Sequence, residues 1–273
     1  MSNIHRSNVW EARMQGLTAR QSSRTRMASA KPVLQNFVRS FVDLVYPPAC
    51  PVCKQPLPRV AMDTMVCLSC WSQIALNEPP FCHGCGRQMS RRDTAKNVCS
   101  RCMREPRAYD RAYSVCVYDG AVKTLIHEFK YNDKQYLGRP LSRLLIDFIK
   151  KYDVPVGYMD YLIPVPLHGA KLREREFNQA QILCAEVARA FDKPVLEGNL
   201  FRYRATDTQA TLEPHQRFLN VKGCFGVTEK QSVTGRNFLL IDDVLTTGAT
   251  ASEAAGALKD AGANIVFALT LAS

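Results

Sequence analysis

The chain has 273 residues, enough for one large or two modest domains with a sizeable buried core. Its 46% hydrophobic and 22% charged residues exclude wholesale disorder, and no apolar run reaches the roughly 18 residues that a bilayer span needs. The 36 Lys and Arg against 25 Asp and Glu give +11, a balance that favours polyanionic partners such as nucleic acid or phosphorylated ligands.

The basic excess lies toward the N-terminus. Residues 1–30 carry five Arg and one Glu, and residues 31–110 carry eleven basic and six acidic side chains. The remaining 163 residues are nearly balanced, at 20 against 18. Residues 1–31, rich in Arg and Ser without a hydrophobic period, predict a disordered basic tail; an over-extended start, with Met27 the natural beginning, or a transit peptide would also suit the composition. The start lacks the apolar segment of a secretory signal, so a reduced cytoplasmic setting is expected.

From Pro32 the pattern changes. Leu34, Phe37, Val38, Phe41, Leu44 and Val45 follow helical spacing until Pro47-Pro48 stops the run, which predicts an amphipathic helix packed on the next domain. Within 32–108 come four Cys-x-x-Cys pairs: Cys50/Cys53, Cys67/Cys70, Cys82/Cys85 and Cys99/Cys102, separated by thirteen, eleven and thirteen residues. Two knuckles folded back on each other present four thiolates to one tetrahedral Zn²⁺. The expected quartets join the first pair to the second and the third to the fourth, giving two structural Zn²⁺ sites; a cross-braced pairing of first with third is the alternative. His83 reads as a surface residue, Trp71 as packed on the ribbon, and Cys116, Cys184 and Cys224 as small core hydrophobes.

Residues 109–273 alternate in texture. Strands are predicted at 112–118, 161–165, 237–241 and 264–271, and helices at 121–131, 137–152, 178–191 and 249–261. That order predicts an α/β domain with a mostly parallel sheet flanked by helices. Residues 238–250, FLLIDDVLTTGAT, are the sharpest signal: a buried strand, the paired acids Asp242 and Asp243, then Thr246, Thr247, Gly248, Ala249 and Thr250 opening a helix. Small residues there expose successive backbone N–H groups at a helix N-terminus, which suits a phosphate, while the acids suit ribose hydroxyls and hydrated Mg²⁺. The Gly-Lys-Ser/Thr ending of a Walker loop is absent.

This stretch resembles the 5-phosphoribosyl 1-diphosphate (PRPP) motif of type I phosphoribosyltransferases. Together with the cysteine knuckles, PVPLH at 164–168, REREFNQ at 173–179, and TDTQ at 206–209 followed by Leu212, Arg217, Asn220, Gly223 and Phe225, it resembles the ComF family of competence-related proteins over about residues 33–273. The resemblance implies a double zinc ribbon followed by a phosphoribosyltransferase-like domain, a place in DNA uptake and natural transformation, and PRPP with Mg²⁺ as ligand. It implies diphosphate contacts near 164–168, with Arg173 and Arg175, and less strongly Lys171, as cations; a surface basic helix is the plainer reading. Residues 204–222 would close over the ligand, with Gln209, Arg217 and Asn220 as contacts. The family usually has Gly where this chain has Glu176, and a positive φ there would make Glu costly.

No His–acid nucleophile constellation emerges, and no catalytic residue is singled out. Two functions follow. One is a DNA-uptake factor whose zinc module binds single-stranded DNA, with Phe81, Trp71 and Tyr109 available for stacking and other uptake proteins as partners. The alternative is a phosphoribosyltransferase acting on a nucleobase or another small acceptor.

Overall fold

The computed structural model describes residues 48–57, 65–90, 97–105, 107–131, 134–204 and 214–273, the side chains of 214–217 excepted. The basic tail and amphipathic helix expected before Pro48 lie outside these residues. The described residues belong to one compact unit, Pro47–Ser273.

The cysteine region contributes two single-turn helices, α1 (Leu68–Ser72) and α2 (Ser100–Arg104), each beginning beside a cysteine knuckle. The rest is α/β: β1 (Arg111–Cys116), α3 (Gly120–Tyr131), α4 (Gly138–Lys151), β2 (Tyr161–Pro164), α5 (Gly169–Arg175), α6 (Gln179–Phe191), β3 (Leu200–Arg202), α7 (Pro214–Val221), β4 (Phe225–Val227), β5 (Asn237–Val244), α8 (Ala249–Asp260) and β6 (Ile265–Ala272). Strands β1, β6, β5 and β2 lie in that order as one parallel sheet, while β3 and β4 form a separate antiparallel pair. The long sequence-predicted elements are present, and β5 runs past both acids to Val244. Strands β3 and β4 and helix α7 were not anticipated; three-residue strands are too short to show a period.

Side-chain alternation along the strands assigns the layers. Leu239, Ile241, Leu269 and Leu271 join Leu125, Phe129, Leu145 and Leu183 in one cluster, so α3, α4 and α6 cover that face. Phe238, Leu240, Val266 and Ala268 join Ala251, Ala254, Ala255 and Leu258 of α8 on the other. The alanines keep α8 thin where it meets the sheet. Among the described residues no helix is long and apolar enough to cross a membrane.

The zinc-ribbon region straddles the β1 edge. Its first cysteine quartet contributes Cys50 and Cys70 to the α3/α4/α6 cluster, and its second contributes Cys82, Cys85 and Cys102 to the α8 cluster. Leu76 bridges antiparallel to Cys116, with Asn77 N–H donating to Val115 O at 2.8 Å and Val117 N–H to Ala75 O at 2.9 Å. Buried Asn77 also donates through Nδ2 to the carbonyls of Ser114 and Cys116, each at 3.1 Å.

Phe81 and Tyr109 are not the stacking platforms that the sequence offered. Phe81 packs on Phe148 and Tyr152, at ring-centroid distances of 5.4 and 5.0 Å. Tyr109 is 5% exposed, and Trp71 packs against the first cluster. An aromatic ring buries too much apolar area to stay in solvent when a core lies beside it.

Gly86 permits the docking. Its φ is +71°, and a Cβ there would lie 2.2 Å from Ser114 N and 2.5 Å from Tyr113 C. Gly86→Ala is expected to lower unfolding free energy by about 3 kcal/mol, combining left-handed strain with overpacking against backbone. Urea unfolding that moves by less than about 0.5 kcal/mol would contradict this close approach.

Candidate metal centres and anion site

The cysteines gather as expected into two sets, Cys50/Cys53/Cys67/Cys70 and Cys82/Cys85/Cys99/Cys102, with all sulfurs of a set within 4.8 Å of one another. A tetrahedral ion with Zn–S bonds of about 2.3 Å requires sulfur–sulfur edges of about 3.8 Å. Cys53 and Cys67 sulfurs lie 3.7 Å apart, and those of Cys85 and Cys99 lie 4.0 Å apart. Backbone N–H groups turn toward sulfur, from Cys70 to Cys67 Sγ at 3.5 Å and from Cys99 to Cys82 Sγ at 3.2 Å.

The thiols cannot all ionise without a cation. Burial and hydrogen bonding among the sulfurs push Cys70 up to about 12, and contacts with Cys82 and Cys85, then burial, push Cys102 up as well. A divalent ion removes that conflict by converting four crowded sulfurs into ligands. The donor set, spacing and closed four-sulfur shell fit structural Zn²⁺. His83 is only partly buried and engages through its backbone: its N–H donates to Asn97 O at 2.9 Å, and its carbonyl accepts from Ala112 N–H at 2.8 Å.

The second centre sits at the C-terminal end of the parallel sheet, the edge where open α/β folds place ligands. Asp242 and Asp243 lie near the C-terminal end of strand β5, just before Val244. Asp242 Oδ1 accepts from the Asp243 N–H at 2.8 Å, and Asp243 Oδ1 is paired with Lys130 Nζ at 2.7 Å. Burial, and then the Asp243 charge, push Asp242 up to about 7, against the opposing pull of Lys130 and Arg202. Burial disfavours a charged Lys130, but the two carboxylates outweigh it and hold this ammonium above its ordinary range.

The 246–250 loop follows. Thr247 is 2% exposed, and the Ala249 N–H donates to its Oγ1 at 3.3 Å. Gly248 caps α8 at φ +81°, where a Cβ would meet Tyr109 Oη at 2.8 Å and Arg107 Nε at 3.0 Å. Asp242, Thr246, Gly248, Ala249 and Thr250 line a small cleft.

Lys130 and Arg202 act on the acids, and α5 brings further cations near those two. His168 caps α5 by accepting the Ala170 N–H on Nδ1 at 3.2 Å, which starts a helix carrying Lys171, Arg173 and Arg175. Arg175 donates to Gln179 Oε1 at 3.3 Å and Tyr131 Oη at 3.1 Å, with its guanidinium 4.9 Å from the Tyr131 ring centroid. Lys171 is held below its ordinary range by burial, then by Arg202, Arg175 and Lys130. Burial leads and like charge adds to it. Arg173 is exposed on the same helix. Gln209 lies outside the described residues, Arg217 has no described side chain, and Asn220 accepts from Arg204 Nη2 at 3.4 Å through its carbonyl.

Lys130 and Arg202 were missed in the sequence. Lys130 follows the apolar stripe of α3 and resembles an ordinary basic residue in a helix's last turn. Arg202 lies on the unanticipated β3, where only its place between Phe201 and Tyr203 could have suggested an inward face.

A family model described as a double zinc ribbon domain matches residues 41–107. The DNA utilization protein YhgH of Escherichia coli O157:H7 is 31% identical over 225 residues, covering 82% of this chain and 96% of that protein. Competence protein F of Haemophilus influenzae is 29% identical over 200 residues, covering 72% and 85% respectively. Competence protein ComFC of Bacillus subtilis is 30% identical over 207 residues, covering 73% and 80%. A solved phosphoribosylpyrophosphate synthetase from Mycobacterium smegmatis is 17% identical, with 47% of this chain and 33% of that one covered at a TM-score of 0.27.

Glu176 closes α5 at φ +64°, ψ −17°, the left-handed conformation that glycine adopts without penalty. Glu176→Gly is expected to raise unfolding free energy by about 0.5–1 kcal/mol, the left-handed penalty less the extra entropy of an unfolded glycine. Denaturant titration showing equal or lower stability would mean that Glu is tolerated there without strain.

Proposed function

Because the chain belongs to the ComF family of competence and DNA-utilization proteins, we propose that it is a cytoplasmic factor in the uptake or use of external DNA. On this reading its α/β domain binds PRPP with Mg²⁺, and its double zinc ribbon contacts single-stranded DNA, in company with other DNA-uptake proteins. The observation that carries the ligand reading is the pairing of a two-carboxylate strand end, where Asp243 is buried and Asp242 half-buried, with a small-residue loop at a helix N-terminus.

The residues fit the ligand's chemistry. Gly248, Ala249 and Thr250 would hold the 5-phosphate at the start of α8. Asp242 and Asp243 would meet the ribose hydroxyls and hydrated Mg²⁺. Lys171, Arg175 and Arg202 would face the diphosphate, with Arg173 at the exposed margin. Bound Mg²⁺ would supply charge neutralisation at the diphosphate. The protein's own part is to fix these charges in place, with Lys130 paired to Asp243 and Asp242 poised between its two protonation states. These contacts support binding of a phosphoribosyl ligand; transfer to a nucleobase would need an acceptor site in addition.

The DNA reading rests on charge and on the named relatives. With Phe81 and Tyr109 committed to packing, the ribbon would hold the nucleic-acid backbone chiefly through bases such as the exposed Arg104. Affinity governed by phosphate contacts falls steeply with salt.

Asp242→Ala with Asp243→Ala is expected to abolish Mg²⁺-dependent PRPP binding in calorimetry while zinc content stays unchanged. In the unaltered protein, binding should strengthen as pH rises from 6 to 8, because Asp242 gives up its proton near 7. The stability contribution has the opposite sign. A carboxyl raised from 3.8 adds stability that is fully present below about 3.8, declines as pH rises, and is gone above about 7. Asp242→Asn should therefore raise stability more at pH 8 than at pH 5. Unaltered PRPP affinity in the double variant would sink the ligand reading.

A second test uses fluorescence anisotropy with labelled single-stranded DNA. Affinity should drop at least about tenfold between 50 and 200 mM salt and survive the double aspartate substitution. Binding indifferent to salt, or lost with the acids, would contradict a separate basic surface.

A further inference from the structure

We propose that Arg107 is a positioning residue for the 246–250 loop, holding one of its peptide planes so that the amide faces the ligand. The inference rests on reading that loop as the phosphate cradle.

Arg107 lies between the second cysteine quartet and β1, outside every motif read from the sequence. Its side chain is 5% exposed. One guanidinium nitrogen, Nη2, donates to the Thr247 carbonyl at 2.7 Å and to Glu105 Oε2 at 3.1 Å. The other, Nη1, donates to the Glu105 carbonyl at 2.6 Å. Its Nε is buried and makes no hydrogen bond among the described residues. That Nε lies 3.0 Å from the place where a Cβ on Gly248 would stand, so the cation presses directly against the loop.

Peptide geometry turns this contact into a directional one. In a trans peptide the C=O and N–H point in opposite directions. With the Thr247 carbonyl fixed on Arg107, the Gly248 N–H points away from Arg107. Gly248 lines the cleft beside Asp242, so its amide is directed where an anion would sit. Glycine at φ +81° has little steric preference of its own, and without the clamp this peptide could rotate. A guanidinium behind the loop also adds positive charge there.

The clamp is tied to its surroundings. The Arg107 guanidinium sits 4.7 Å from the Phe218 ring centroid on α7. Ala108 N–H donates to Ser252 Oγ on α8 at 3.0 Å, and Tyr109 Oη donates to the carbonyl of Gly84, between Cys82 and Cys85, at 2.6 Å. Residues 107–109 therefore strap the Cys82/Cys85 knuckle to the loop.

The test compares the full-length protein with Arg107→Met and Arg107→Lys. Hydrogen exchange of peptides covering 245–252 reads the loop without any ligand, metal analysis reads the ribbon, and calorimetry with PRPP and Mg²⁺ reads the site. Arg107→Met is expected to exchange its loop amides about tenfold faster and to bind about tenfold more weakly, as loss of a charged hydrogen bond implies, with zinc retained. Arg107→Lys keeps a charge and a donor for the Thr247 carbonyl and should recover most of both. Loop exchange unchanged in Arg107→Met, or a Lys variant no better than Met, overturns the proposal, as does faster exchange over the whole chain with zinc loss. If loop exchange responds as expected but the unaltered protein binds no PRPP, the ligand reading fails and the positioning role stands.

Discussion

Asp242 and Asp243 are neighbours at the end of a buried strand, and the repulsion between two poorly hydrated carboxylates governs what surrounds them. Isolated, such a pair would hold at most one charge. Lys130 relieves Asp243 directly, so α3 must end beside the C-terminal end of β5. Asp242 keeps its raised titration and remains the group with most to gain from an added cation. Lys171 and Arg202 have the opposite difficulty: burial holds both cations down, and at Lys171 the nearby Arg202 and Arg175 charges add to it. An anion lowers the energy of one set and a cation that of the other. A ligand that is itself an anion bound to a metal would satisfy both.

The zinc ribbon is part of this arrangement. Its two cysteine sets lie on opposite faces of the β1 edge, each merged with the hydrophobic cluster on its side. Lys54, in the first knuckle, donates to Glu128 on α3 at 2.8 Å; Lys134 reaches the same carboxylate. Glu128 lies two residues before Lys130, so the helix that neutralises Asp243 is pinned to one knuckle while the 246–250 loop is strapped to the other. The ribbon thus reaches both sides of the site through ordinary packing and hydrogen bonds.

Much of this was legible in the sequence, and the failures have physical causes. Cysteine spacing gave the quartets because four sulfurs around one ion leave little freedom in the intervening chain. The run from Phe238 to Thr250 gave strand, acids and loop because a buried strand can end in two acids only where something compensates them. Lys130 and Arg202 were illegible because their roles come from tertiary neighbours 113 and 40 residues away in the chain, and no local period marks them. Phe81 and Tyr109 misled for the same reason: aromatic rings beside basic residues suit a nucleic-acid surface and a domain junction equally. Glu176 shows the reverse case, in which the departure from glycine raised the question of a positive φ and the backbone answers it.

The short antiparallel bridge between Leu76 and Cys116 has a consequence for solubility. Strand β1 is an outer strand of the parallel sheet, with Ala112, Tyr113, Val115 and Cys116 all buried. Left bare, its unpaired backbone would be a template for strands of other molecules. Residues 75–77, carried between the two cysteine sets, occupy that position and hydrogen-bond to it. Residues 75–77 therefore close an edge that strands of other molecules could otherwise extend, and the ribbon that carries them keeps the sheet's pairing within one chain.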